Sequence, residues 1–395
     1  MLKVRYVLLE GYMNLDKIIN RNGTNSIKWD RFKDRNALPL WVADMDFKSP
    51  EKVIDALVKR AEHGVFGYTS IPDEYYVSIK DWYNERQSWD IDTSDIIYTP
   101  GVVTALSAGI QAFTKPGDEV IIQPPVYYPF KKTILNNDRR VLNNELLNSE
   151  EGYTIDFDDL TKKAKRKSAK LLILCSPHNP VGRVWRKEEL FRIGQICEEN
   201  NVKVISDEIH GDLIFDGYTQ IPYASVNQEM ADHSMICTAP SKTFNIAGLD
   251  SSNIIISNEE MKEKYLNVLE KNDLVRPNIF GLVGTIAAYD YGDEWLIEVM
   301  SYIEQNYNFL KEFIETKLPK VKVNQPEGTF LVWLDFTAYK LSNEGLEEKL
   351  IEDAKVILNQ GYVFGEGGDG FVRLNLATSK EQIEKALEQI AISFS

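Results

Sequence analysis

Cysteine is scarce, with three in 395 residues, at Cys175, Cys197 and Cys237. An odd number placed mostly inside apolar stretches excludes a disulfide framework, and the spacing matches no metal-binding pattern. The thiols are expected to be the reduced ones of a cytoplasmic protein. Positive charge is also in deficit: 45 Lys and Arg stand against 60 Asp and Glu, a formal net charge of −15. A field of that sign opposes nucleic acid and anionic membrane as partners. One basic run, KKAKRK after Thr161, breaks the trend and reads as a solvated helix face ahead of a strand. No Pro/Gly/Ser-rich linker, internal repeat or low-complexity tract appears. A chain this long exceeds what one core usually serves, so a large and a smaller domain are expected.

What is present is a repeated local pattern. IIYTPG, LLILCSPHNP, VKVISDEIH and SMICTAPSK are each an apolar run of strand length followed at once by a polar or glycine-bearing turn. Helical patterns lie between several of them, such as VVTALSAGIQAF after Gly101 and KEELFRIGQICEEN after Arg186. The alternation predicts an α/β fold with a buried parallel sheet and covering helices. Ligands of such sheets bind outside the carboxyl ends of the strands, where Gly101, Asn179, Asp207 and Lys242 all fall. Singly, each has a plain reading: a turn glycine, a turn asparagine before proline, an aspartate helix cap, a surface lysine. Together they describe a site in which Lys242 can hold an aldehyde cofactor as a Schiff base.

Towards the C-terminus, TFLVWLDF, a helical stretch near Gly345 to Gln360, GYVFG and FVRLNLA read as a smaller α/β module, joined by the N-terminal segment.

Eight motifs in order, LPLWVADMDFKSP, GVFGYTSIPDEYY, TPGVVTAL, TKPGDEVIIQPPVYYPF, LLILCSPHNPVGRVW, SDEIHGDLI, TAPSKTFNIAGL and FVRLNLA, carry a family resemblance from about Trp29 to the C-terminus. The chain resembles the fold-type I pyridoxal-phosphate (PLP) enzymes of the class I/II aminotransferase superfamily. Within it, the match is to the branch of cystathionine beta-lyases and cysteine-sulfur lyases that includes cystalysin-like and maltose-regulon-modulator-like proteins. The resemblance implies a large domain with a mostly parallel seven-stranded sheet, a smaller α/β domain, an amino-acid substrate, and a homodimer whose subunits share the active site. The expected division is residues 1–55 for the N-terminal arm and part of the small domain, 56–291 for the PLP-binding domain and 292–395 for the C-terminal small domain. The opening MLKVRYVLLEGYM has a basic start, but its apolar run is short, interrupted by Glu10, and lacks the cleavage pattern of a signal peptide. It is expected to be an arm on the neighbouring subunit or an early start, with Met13 standing where such family members often begin.

By that resemblance, Lys242 forms the Schiff base and removes the substrate's α-proton, and Asp207 keeps the cofactor's ring nitrogen protonated. Asn179 bonds the phenolic oxygen. Gly101, Val102 and Val103 open a helix whose N–H groups suit the phosphate, Ser241 adds a hydroxyl, and Tyr68 reaches the phosphate from the partner subunit. Family members often carry a phosphate-binding arginine shortly after the lysine, where this chain has Asp250 in GLDSSN. Tyr127 stacks on the cofactor ring; Tyr128 lies by the substrate and assists proton transfer to the leaving sulfur, unless both are simply aromatic core. Arg373 clamps the α-carboxylate through its guanidinium fork. No second arginine is assigned to a side-chain carboxylate, though Arg276 is left open to face the cleft, so a dicarboxylate aminotransferase is not expected.

His210 stands where typical aminotransferases carry a tyrosine that reaches the phenolic oxygen, and SDEIH, VADMDF and PSKTFNIAG resemble the lyase branch. The implied reaction is α,β-elimination from L-cystathionine, L-cysteine or a related S-substituted cysteine. His210 either tunes the cofactor or makes a structural hydrogen bond. Two other readings stay open: an aminotransferase for a neutral or aromatic amino acid, and a regulatory binding protein with its own protein partner on this scaffold.

Overall fold

The protein is described here from a computed structural model covering residues 13–149 and 152–395. The expected arm before Met13 lies outside those residues.

A seven-stranded sheet runs in the order Ile96–Thr99, Ser252–Ile255, Ser234–Thr238, Lys203–Asp207, Ala169–Cys175, Glu119–Ile122, Arg140–Asn143. Ser252–Ile255 pairs antiparallel with both neighbours, and the other pairings are parallel. Side chains alternate between two cores, as a two-residue repeat requires. Ile173, Ile205 and Met235 join one; Leu172, Leu174, Val204 and Ile236 join the other. Helices Val102–Phe113 and Glu259–Lys271 pack together over the first of these cores. Glu51–Glu62, Asp73–Gln87 and Ile279–Tyr291 pack together on the opposite side. The helix read from VVTALSAGIQAF spans Val102–Phe113, preceded by Gly101 at φ +87. Only a residue without a side chain adopts that conformation cheaply.

The 25-residue helix Asp293–Lys317 leads to a four-stranded antiparallel sheet in the order Lys322–Val323, Leu331–Asp335, Phe371–Asn375, Asn359–Gln360. The N-terminal strand Leu38–Pro39 pairs in parallel with Val356–Ile357, tying the start of the chain to this module. One expectation needs correction. The helical stretch near Gly345 to Gln360 is helical only over Asn343–Asp353 and ends in a wide turn. Lys355 then sits at φ +55, which no helix continues through, and 356–357 and 359–360 are strands. GYVF forms a short 3-10 turn.

Among the described residues no helix is long and apolar enough to cross a membrane, and no group of His, Cys, Asp and Glu suits a metal ion. All three cysteines are free and buried.

Candidate active site

Three strand ends deliver the central residues. Cys175 and Asp207 are in register on adjacent strands, and Asp207 is in turn opposite Cys237, so Asp207 closes the middle strand. Turns rather than a regular helix follow it, which removes the helix-cap reading. Its Oδ1 accepts from the Ile209 N–H at 3.2 Å. Burial raises its carboxyl pKa to about 7, against the Ile209 hydrogen bond and the charge of Lys242. No cation pairs with it among the described residues.

Lys242 follows Ser234–Thr238 in the short helix Pro240–Thr243. Its Nζ donates to the Ala43 carbonyl at 2.8 Å. Burial holds the amine below the ordinary lysine range, helped by Arg373 and opposed by Asp44 and Asp207. Arg373, on the strand Phe371–Asn375 of the four-stranded sheet, donates from Nη1 to Asn179 Oδ1 at 2.9 Å and from Nη2 to the Trp41 carbonyl at 2.8 Å. Its buried Nε lacks a partner, and burial lowers its pKa to about 10. His210 is buried edge-on against Phe330 with Nδ1 unpartnered. Burial, with Lys242 and Arg373 nearby, pushes its pKa well down, so the ring is neutral.

These residues line one cleft of about 440 Å³ with Gly101, Val102, Val103, Tyr127, Tyr128, Ser241 and Asp250, a size suited to a small-molecule ligand. Of the residues singled out in the sequence, Tyr68 and Arg276 stand outside it. The Tyr68 ring is 96% exposed, with the Arg276 guanidinium 5.6 Å above it. Arg276 pairs with Asp273 at 3.4 Å and does not face the cleft.

The donor and acceptor set fits PLP. Asp207 is a buried carboxylate without a cation, suited to a protonated ring nitrogen. Asn179 reaches the Arg373 fork, and the helix opening at Gly101 to Val103 presents N–H groups to a phosphate beside Ser241. Asp250, at φ +48 on the cleft wall, adds no positive charge there.

Sequence reading had no role for the segment from Trp41 to Asp46, which straps the cleft. Besides the Arg373 and Lys242 bonds, Asn375 Nδ2 donates to the Val42 and Asp44 carbonyls at 2.7 and 2.6 Å. Asn245 accepts from the Met45 N–H and donates to the Met45 and Phe47 carbonyls. Beneath it, Arg21 pairs with Asp44 and Asp46, and fully buried Lys28 pairs with Asp46 at 2.7 Å. Their charges and the Trp29 Nε1–H hold the Asp46 carboxyl below its usual range although burial opposes it. The WVADMDF motif flagged this stretch, but its service through backbone carbonyls leaves no residue-type signal. Arg31 was also missed. It lines the cleft, where the sequence had left only Arg276 open to face it.

The model of the family described as aminotransferase class I and II matches residues 35–390. Cystathionine beta-lyase PatB of Bacillus subtilis is 45% identical over 97% of this chain and 100% of its own. Among solved structures, cystalysin of Treponema denticola, which contains PLP, superposes with TM-score 0.94 at 40% identity, covering 97% of this chain and 98% of that one. The PLP-bound C-S lyase of Staphylococcus hominis does so with TM-score 0.91 at 34% identity over 97% and 99%.

Proposed function

The chain belongs to the class I and II aminotransferase family, and from that premise we propose that it is a PLP-dependent carbon–sulfur β-lyase. Its substrates are L-cystathionine, L-cysteine or related S-substituted cysteines, and its products are pyruvate, ammonia and a thiol. The observation that carries the lyase reading is the 45% identity to a cystathionine beta-lyase along essentially the whole chain.

Bound PLP supplies an aldehyde for the substrate's amine and a protonated ring that accepts the electron pair freed at Cα. Asp207 keeps the ring nitrogen protonated, because a carboxylate this poorly solvated gains most from a cation beside it. The Arg373 fork, with its spare Nε, orients the α-carboxylate, while Asn179, which accepts from that fork, bonds the cofactor's phenolic oxygen. Lys242, its amine depressed below the ordinary range by burial, takes the α-proton, and in the cofactor-free chain that amine donates to the Ala43 carbonyl. The Cβ–S bond would then break with its bonding pair leaving on sulfur. Tyr128, 41% exposed at the cleft edge, protonates the departing sulfur, and water completes pyruvate and ammonia from the three-carbon remainder. Neutral His210 and the Tyr127 ring border the cofactor.

In this reading the active unit is a homodimer in which Tyr68 reaches the partner's phosphate site. Support comes from its exposed ring and from the neighbouring Val65 and Phe66, 63% and 57% exposed.

The test is pyruvate release from L-cystathionine by the PLP-loaded protein, with and without a 2-oxo acid. Pyruvate, ammonia and thiol in equal amounts without the acceptor are expected. Turnover of another amino acid only when the acceptor is present identifies an aminotransferase instead.

A further inference from the structure

Arg31 closes the four-residue helix Ile27–Asp30, and it lines the cleft together with Ile27, one helical turn earlier. Its guanidinium carbon lies 5.4 Å from the Trp41 ring centroid and 5.6 Å from that of Phe32. The two rings meet edge to face at 5.5 Å. A cation–π contact holds a guanidinium near aromatic rings without using up its N–H donors, which can still receive a carboxylate. No carboxylate pairs with Arg31 among the described residues, although acidic residues outnumber basic ones in the chain. Arg31 is exposed on the cleft wall, so its charge is open to an anionic ligand that enters the cleft.

Trp41 relates this arginine to the catalytic one. Its carbonyl accepts from Arg373 while its ring carries Arg31, so a single residue spaces the two guanidinium groups along the wall. Arg31 and Arg373 line the same cleft, so a substrate held by its α-carboxylate at Arg373 has a second guanidinium within that cleft. Asn359, in register with Arg373 on the adjoining strand, lines the same wall.

We propose that Arg31 binds a second carboxylate carried on the far side of the sulfur, so that the site prefers dicarboxylic thioether amino acids, L-cystathionine among them, over neutral S-alkyl cysteines. This rests on the cleft being the amino-acid site of the lyase reading. A charge-assisted hydrogen-bonded pair changes affinity by roughly ten- to a hundredfold.

Two ligands without a leaving group separate recognition from chemistry. L-2-aminopimelate has the shape of S-(2-carboxyethyl)-L-cysteine with a methylene in place of sulfur, and L-2-aminoheptanoate replaces its distal carboxylate by methyl. Calorimetric titration of the PLP-loaded protein is expected to show tighter binding of the dicarboxylate. In Arg31→Met the ratio of the two affinities falls by roughly ten- to a hundredfold, and Arg31→Lys keeps part of it. No preference in the parent protein overturns the proposal, as does an equal weakening of both ligands in Arg31→Met, which would mark a structural role. Because neither ligand can eliminate, the result stands apart from the pyruvate assay: loss of the ratio with no pyruvate release leaves Arg31 assigned and removes the lyase.

Discussion

Asp207 is buried in the cofactor-free chain without a paired cation among the described residues, and its energetics follow from that. In the cofactor-free chain its pKa of about 7 lies above the ordinary 3.8. Between those values the folded chain keeps a proton that the unfolded chain has released, so the associated stability, complete below the lower value, is lost as pH rises through about 7. Glu208, also raised to about 7 by burial, adds to the same trend. Cofactor-free Asp207→Asn, with no charge to bury, should gain stability relative to the parent between pH 5 and pH 8. Melting temperatures of both at the two pH values test this, and a constant difference would sink it. At this scale the sequence was most readable where chemistry sits on strand ends: Lys242, Asp207 and Asn179 each follow an apolar run directly. Arg31 was not readable, because its placement depends on one turn of helix and a stacked indole.

The Trp41–Asp46 strap shows what an element does that its side chains do not announce. Five of its carbonyls, of Trp41, Val42, Ala43, Asp44 and Met45, accept from Arg373, Asn375, Lys242 or Asn245, so its position sets that of both the base and the clamp. The strap is fixed from below by a buried charge cluster, and removing one partner there leaves another charge dry and uncompensated. Lys28→Met is therefore expected to destabilise the protein by about 3–5 kcal/mol in urea unfolding. A loss within the range of an exposed lysine would show that the cluster bears no such strain. Regular elements were legible when periodicity and a stop signal agreed, as for Val102–Phe113 behind Gly101. The stretch after Gly345 misled because its apolar residues suit helix and strand alike, and the left-handed Lys355 that divides them carries no glycine to mark it.

For the whole molecule, the homodimer reading makes each site depend on two chains. Tyr68→Ala and Lys242→Ala place their defects on what the homodimer reading treats as different halves of each site. Mixing the two inactive parents through unfolding and refolding together should yield elimination that neither shows alone, since a mixed dimer contains one intact site. Mixtures as inactive as the parents would mean that Tyr68 serves its own chain or none. A further property concerns sulfur. Cys175, Cys197 and Cys237 are buried, and burial raises each thiol above its ordinary pKa. The reactive thiolate is thereby suppressed at every cysteine in the chain. A catalyst that liberates thiols all its working life thus keeps its own sulfur protonated, including Cys175 on the cleft wall, which disfavours mixed disulfides as its product accumulates and air oxidises it.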